Sequence, residues 1–177
     1  MSMSHPPDFV PAPILACART LRQQLHARSQ SLSIIETACG GLLSSTFVST
    51  PGASSVFLCG QVLYTPLARA AFGGWSAEDV VAYSGPGTQV VLRLARENRR
   101  VLGADWVLVE SGIAGPGRKE EWENGQPGYV ALAVVGPGVE RAVEVRTGGT
   151  ERVGNMWEFT RLALELLWEC VEQTEEG

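Results

Sequence analysis

The sequence predicts an α/β fold, a three-layer α/β/α sandwich with a mixed sheet at its centre. Two observations support this prediction. Through residues 14–110, short apolar segments with strand character alternate with segments of helical periodicity, which is the order typical of parallel strands joined by helices. Two further apolar segments, 129–135 and 139–147, are joined by Gly-Pro-Gly and have the pattern of a hairpin. A mixed sheet of this kind is normally covered by helices on both faces.

Each element has its own local signal. Apolar residues recur at helical spacing over about 14–29, which predicts the first helix, and 31–36 is then the first strand. A Gly-Gly turn and a short helix to about Ser49 lead to a second strand over 55–64. The later helices and strand are predicted over 66–72, 76–83, 88–101, 106–110 and about 152–173.

Length and composition favour one domain. A chain of 177 residues with 45% apolar residues can bury one sizeable core. Prolines 6, 7, 11 and 13 disfavour helix, so residues 1–13 are predicted as a Pro-rich extension and 14–177 as a single domain.

Charge and cysteine usage exclude several classes of function. A net charge of −5 argues against binding nucleic acid or an anionic membrane surface, because both require a positive face. The start of the chain has no signal-peptide pattern, and no segment reaches the roughly 18 apolar residues that span a bilayer, so a cytoplasmic location is expected. The four cysteines lack C-x-x-C spacing and are expected to be reduced, and neither a metal nor another cofactor is expected.

Two glycine-rich segments follow predicted strands and form the candidate site. Residues 37–41 follow the first strand, and 111–117 follow the strand over 106–110. Ligands of open α/β sheets bind beyond the carboxyl ends of strands, and free N–H groups at a helix start stabilise anions. The predicted ligand-binding residues are Cys39, Gly40, Gly41, Gly115 and Gly117. The alternative is that these glycines only make tight turns. Neither segment has the spacing of a dinucleotide or P-loop motif.

Groups that could activate a hydroxyl are scarce in this chain. Lys119 is its only lysine, and it lies in a polar loop. The two histidines, His5 and His26, do not follow strands, so a Ser-His-Asp triad is not expected. The five tryptophans are scattered and, apart from Trp122 in the polar loop, are expected to be core residues.

Four blocks in order resemble a known family. They read I-E-T-A-C-G-G-L-L, P-G-A-S-S-V-F-L-C-G-Q-V-L-Y, S-G-I-A-G-P-G and Q-P-G-Y-V-A-L-A. These blocks resemble the CinA carboxy-terminal domain family, whose bacterial members act as nicotinamide-nucleotide amidases. The resemblance covers roughly residues 14–173. It implies a three-layer α/β/α fold, a homo-oligomer, and hydrolysis of the amide of nicotinamide mononucleotide (NMN) by a serine that a lysine activates.

The resemblance also assigns the site residues, and here the chain departs from the family. The family's serine falls on Thr37 and its lysine on Arg69. Its other functional positions fall on Cys39, Tyr64, Ser111 and Arg152, although the Gly-Asp that precedes the family's arginine is Thr-Glu here. A neutral lysine can accept a proton from a hydroxyl, whereas a guanidinium stays charged at physiological pH.

Three hypotheses follow. The preferred one is a non-hydrolytic relative that binds a small anionic molecule, such as a nucleotide, between Arg69 and Arg152. The second is an active amidohydrolase with Thr37 or Cys39 as nucleophile and Glu36 as an unusual base. A helix start would lower the pKa of the Cys39 thiol in that case. The third is a structural or partner-binding domain with no ligand.

Overall fold

The computed structural model describes residues 9–174, which form one mixed sheet and its covering helices. The strands are β1 (Leu32–Glu36), β2 (Phe57–Val62), β3 (Trp106–Ile113), β4 (Tyr129–Gly136) and β5 (Val139–Arg146). The helices are α1 (Ala12–Ala27), α2 (Leu42–Val48), α3 (Pro66–Phe72), α4 (Ala77–Ala82), α5 (Thr88–Leu102) and α6 (Arg152–Gln173).

The sheet has the strand order β2-β1-β3-β4-β5. β1 is parallel to both β2 and β3, whereas β4 is antiparallel to β3 and to β5. Helices α1, α2 and α6 contribute to the core on one face, and the core on the other face is formed mainly with α5. The predicted α/β/α sandwich with a mixed sheet is therefore confirmed.

The central strands are buried on both faces, which fixes the register of the core. In β1, Ile34 belongs to the core beneath α6 and Ile35 to the core beneath α5. Leu108 and Val109 divide in the same way in β3, because successive side chains of a strand point to opposite faces. Every residue of β4 is buried.

The amino-terminal boundary differs from the prediction. Helix α1 begins at Ala12, with Pro11 at its N-cap and Pro13 in its first turn. Proline in the first turn removes an N–H that has no partner within the helix, so it does not prevent helix formation there. Val10 is buried in the core, so the end of the predicted extension packs against the domain. Residues 1–8, which include His5, and residues 175–177 lie outside the described residues.

Strand β3 is longer than predicted and carries Ser111 within it. The sequence predicted a strand end at 110, but Ser111 pairs with Ala131 and Ile113 with Tyr129 across the antiparallel ladder to β4. Gly112 permits this approach, since a Cβ there would lie 2.6 Å from the carbonyl oxygen of Tyr129. Ser111 therefore has a strand position rather than a loop position.

Across residues 9–174, every helix is too short or too polar to cross a lipid bilayer.

Candidate functional site

A cavity of about 330 Å3 lies beyond the carboxyl ends of β1 and β3. Its volume falls within the range of small-molecule sites. Residues from both strand ends, from α3, from the start of α6 and from two loops line it: Thr37, Ala38, Tyr64, Pro66, Arg69, Tyr83, Gly112, Ile113, Ala114, Gly117, Lys119, Trp122 and Arg152. The lining thus includes most of the residues to which the family resemblance gives a role.

The two strand ends meet at Thr37 and Ser111. Because β1 and β3 are parallel neighbours, the residue after β1 lies beside the carboxyl end of β3. The Thr37 Oγ1 hydroxyl donates to Ser111 Oγ at 3.2 Å, and both side chains are buried. The predicted convergence of the two segments is confirmed, although Ser111 supports Thr37 from behind and does not line the cavity.

A buried carboxylate, Glu110, holds the backbone of the turn after β1. Its Oε2 accepts hydrogen bonds from the backbone N–H of Thr37 at 3.1 Å and of Cys39 at 3.0 Å. Burial raises the pKa of Glu110 to about 7, although the two backbone hydrogen bonds act in the opposite direction. This role of Glu110 was not predicted from the sequence, where the available signal was a lone carboxylate at the end of an apolar strand.

Glu36 holds the start of α2 in a similar way. Its carboxylate accepts from the backbone N–H of Gly41 at 3.0 Å, of Leu43 at 2.9 Å and of Ser44 at 2.8 Å. A negative charge at a helix start is favourable because these N–H groups have no partner within the helix. The Glu36 carboxylate is therefore engaged by α2, which counts against the hypothesis that it is the base for Thr37.

The backbone N–H groups of the turn after β1, which were predicted to bind a ligand anion, are bonded to carboxylates of the chain itself. Cys39, Gly40 and Gly41 do not line the cavity, and the N–H groups of Cys39 and Gly41 already donate to the two glutamates. Gly115 does not line the cavity either, and a Cβ there would lie 2.5 Å from a backbone carbonyl oxygen of the neighbouring loop. Of the predicted glycines, Gly117 lines the cavity.

Cys39 is a poor nucleophile in this environment. Its side chain is fully buried, and its Sγ lies 3.6 Å from both the Met156 carbonyl oxygen and the Thr160 hydroxyl. Burial raises the pKa of the Cys39 thiol well above its ordinary value, and the nearby Glu110 and Glu36 raise it further. The expected lowering of this pKa by the helix start is therefore wrong, because desolvation and the two carboxylates oppose it.

Arg69 is a buried cation at the cavity wall. Its side chain is 2% exposed, and its Nε donates to the Leu63 carbonyl oxygen at 3.2 Å. Its Cζ lies 5.0 Å from the ring centroid of Trp75 and 4.7 Å from that of Tyr83, both within cation–π range. Among the described residues its Nη1 has no hydrogen-bond partner. Trp75 is a core residue as predicted, but it also holds this guanidinium in place.

The polar loop brings the only lysine to the same cavity. The Lys119 N–H donates to the Gly125 carbonyl oxygen at 2.9 Å, which closes the loop on itself. The Trp122 ring contacts Tyr83 edge-on, with centroids 5.3 Å apart, and the Lys119 Nζ lies 5.8 Å from the Trp122 centroid. Within the described part of the chain, no hydrogen bond joins Lys119 to Thr37.

The cavity lining is cationic and aromatic. Arg69, Lys119 and Arg152 contribute positive charge, and no carboxylate is among the described lining residues. Tyr64, Tyr83 and Trp122 add aromatic surface. In residues 9–174, no three His, Cys, Asp or Glu side chains are arranged to hold a metal ion. This chemistry suits an anionic molecule that carries a ring.

Asn155 connects the loops at the rim of the site. Its Nδ2 donates to the carbonyl oxygens of Ala114 at 2.8 Å and Gly149 at 3.0 Å, and its Oδ1 accepts from the Thr147 hydroxyl at 2.6 Å. These bonds fix the segment after β3 against the first turn of α6, which carries Arg152. Asn155 was not predicted from the sequence, because a single asparagine within a helix has no distinctive pattern.

Comparisons with known proteins identify relatives of this chain. The chain is 33% identical over 158 residues to a CinA-like protein of Chlorobium phaeobacteroides, a match that covers 86% of this chain and 37% of the relative. The chain thus spans about a third of the length of the curated relatives it matches.

Solved structures show the same fold. The competence/damage inducible protein CihA from Agrobacterium tumefaciens superposes with a TM-score of 0.84 at 26% identity, covering 92% of this chain and 98% of that one. A CinA superfamily protein from Escherichia coli gives a TM-score of 0.82 at 22% identity and covers 94% of each chain, which supports the fold alone. Residues 15–171 match the model of the CinA C-terminal domain, and the chain therefore belongs to the CinA C-terminal domain family.

Proposed function

We propose that this chain binds a small phosphorylated molecule with a planar ring, such as a nucleotide, and does not hydrolyse it by the serine–lysine route implied by the family resemblance. The observation that carries the proposal is the state of Arg69. Its guanidinium is buried at the cavity wall, and its Nη1 has no partner among the described residues. A buried guanidinium without a carboxylate partner among the described residues is costly, and a ligand phosphate in the adjoining cavity would supply the opposite charge.

The charge of the lining supports an anionic ligand. The chain as a whole carries −5, yet the described cavity lining has three cations and no carboxylate. Such a local reversal of sign concentrates anions at the cavity. The aromatic side chains of Tyr83 and Trp122 offer faces on which a planar ring can stack.

The state of Thr37 supports the absence of serine–lysine hydrolysis. The Thr37 hydroxyl donates to Ser111, and the side chain at the position of the family's lysine is a guanidinium, which cannot accept a proton. The β-branched threonine also restricts χ1, so the hydroxyl has fewer directions of attack than a serine hydroxyl. Cys39 is buried and has a raised pKa, and Glu36 is engaged by α2.

Ligand binding is expected to raise the melting temperature. A nucleotide such as NMN that binds the native state but not the unfolded state stabilises the native state by about 3 kcal/mol when its concentration is a hundred times Kd. Arg152→Met should weaken this binding roughly tenfold or more, because it removes a charged hydrogen-bond donor at the exposed edge of the cavity. Thermal shift titration measures both effects.

The matched control is Arg118→Met. Arg118 stands between two lining residues but forms an ion pair with Glu120 at 3.0 Å and does not itself line the cavity. Its loss should leave the binding curve nearly unchanged. Equal weakening of ligand binding by both variants would show that the effect comes from general charge and not from the cavity. If no phosphorylated compound raised the melting temperature, that result would contradict the proposal.

A second candidate function is hydrolysis with Lys119 as the base. It is favoured by one observation, that the only lysine of the chain lines the same cavity as Thr37. Under our proposal, the wild-type protein releases no ammonia from NMN. Release that disappears in Lys119→Met and in Thr37→Ala, but persists in Arg118→Met, would establish this candidate and overturn the non-hydrolytic proposal.

A further inference from the structure

A second cavity adjoins the candidate site. The cavity of about 330 Å3 described above is called the main cavity here, and the second cavity has a volume of about 210 Å3. Residues of α4, of the start of α5 and of the segments beside them line the second cavity. Among the described residues, Tyr83 is the one that lines both cavities. Tyr83 directly follows the last residue of α4 and forms the boundary between the two spaces.

The Tyr83 ring is held in place from several directions. Its centroid lies 5.4 Å from that of Trp75, which lines the second cavity. It lies 5.3 Å from that of Trp122, which lines the main cavity, and the Arg69 Cζ is 4.7 Å from the Tyr83 centroid. Aromatic pairs at such separations attract one another, and so does a cation within about 6 Å of a ring face. The ring is therefore a fixed wall between the cavities.

Arg69 stands next to this wall on the side of the main cavity. It lines the main cavity and not the second one. In the proposed function its guanidinium receives the ligand phosphate. A phosphate bonded to Arg69 lies beside the Tyr83 ring, because the guanidinium itself is in contact with that ring. A further group esterified to this phosphate on the side of the second cavity would therefore meet the ring.

We propose that Tyr83 restricts the site to ligands whose phosphate is terminal, and excludes ligands in which the same phosphate carries a second group. The inference rests on the proposed function, because it takes the ligand phosphate to be bound by Arg69. The charge of the main cavity agrees with it. A phosphomonoester carries about −1.5 to −2 at pH 7, and a second ester link removes part of that charge. The described lining has three cations and no carboxylate, which favours the more highly charged group.

Calorimetric titration of the whole chain with adenosine monophosphate (AMP), NMN and nicotinamide adenine dinucleotide (NAD) tests the proposal. NAD joins AMP to NMN through their phosphates, so the set differs in whether the phosphate is terminal. The wild-type protein should bind at least one of the two mononucleotides roughly tenfold or more tightly than NAD, because the ring opposes the added group. In Tyr83→Ala the affinity for NAD should rise roughly tenfold or more, since the main and second cavities are then continuous.

Three further variants separate the wall from other effects. Tyr83→Phe keeps the ring and should keep the preference for the mononucleotide. Tyr64→Ala removes an aromatic side chain that lines the main cavity only, so it should change the affinities for the mononucleotide and for NAD by the same factor. Gln89→Trp, added to Tyr83→Ala, places a large side chain in the second cavity and should restore the preference.

The possible results distinguish this inference from the proposed function. A wild-type protein that binds no nucleotide would overturn both. Equal affinity of the wild type for the mononucleotide and NAD, an unchanged preference in Tyr83→Ala, or a gain for NAD that persists after Gln89→Trp is added would overturn this inference alone. If Tyr83→Ala fails to fold, Tyr83→Leu retains apolar contact with the two tryptophans and gives the same test.

Discussion

Replacing Thr37 by serine and Arg69 by lysine together is expected to create measurable amidase activity toward NMN. The lysine amine would take the place of a guanidinium that lies against Trp75 and Tyr83, where burial favours the neutral form that accepts a proton. Serine removes the methyl group that restricts Thr37. A positioned general base contributes about 10²- to 10⁴-fold, so ammonia release should rise at least a hundredfold above the wild-type background.

Two other variants serve as controls for this pair. Thr37→Ser alone should remain at background, because Arg69 still cannot accept a proton. Arg69→Lys combined with Thr37→Ala should also be inactive, since it lacks the hydroxyl. A double variant that binds NMN yet releases no ammonia would contradict the view that these two positions separate this chain from an amidase.

The Glu110→Gln variant is expected to change how stability depends on pH. Burial raises the pKa of Glu110 to about 7 in the folded protein, from 4.5 for an ordinary glutamate. Between these values the folded chain binds more protons than the unfolded chain, so this group makes the free energy of unfolding fall as the pH rises. A shift of this size corresponds to about 3 kcal/mol, all of it lost above the folded pKa.

Urea unfolding from about pH 5 to about pH 8 measures this contribution as the difference between wild type and Glu110→Gln. The variant should gain stability relative to wild type as the pH rises. Glu158→Gln provides a nearly pH-independent comparison, because the Arg161 ion pair lowers the pKa of Glu158, so its contribution to the free energy of unfolding is almost complete throughout this range and is lost only at lower pH. Parallel profiles of wild type and Glu110→Gln would show that Glu110 does not titrate in this range.

Local patterns were enough to predict most of the elements. In α5 and α6, apolar residues recur at helical spacing, and β4 is a continuous apolar run. In each case the pattern within the segment itself indicates which of its residues are buried. The end of β3 was misplaced because Ser111 and Gly112, which follow the apolar run, are polar or small. Their strand conformation depends on hydrogen bonds to β4, which no local pattern encodes.

The candidate site was predictable only in part. Thr37 and Ser111 were expected to meet because both were predicted to follow parallel strands, and they do meet, although Ser111 lies within β3. The roles of the two glutamates could not be predicted, because a carboxylate that caps a turn has the same sequence signal as one that faces a ligand. Glu110 reaches the turn only through the pairing of β1 with β3.

The sequence alone determined the fold class and the meeting of two strand ends, because both depend on residue identity and periodicity. The family resemblance adds the prediction that the guanidinium of Arg69 stands where relatives have a titratable amine. Tertiary structure alone decided which groups surround that guanidinium. Lys119 and Trp122 reach the cavity because a loop closes on itself and packs against Tyr83. Such contacts join residues far apart in the chain, and their free energy depends on burial that exists only once the sheet and its helices have assembled.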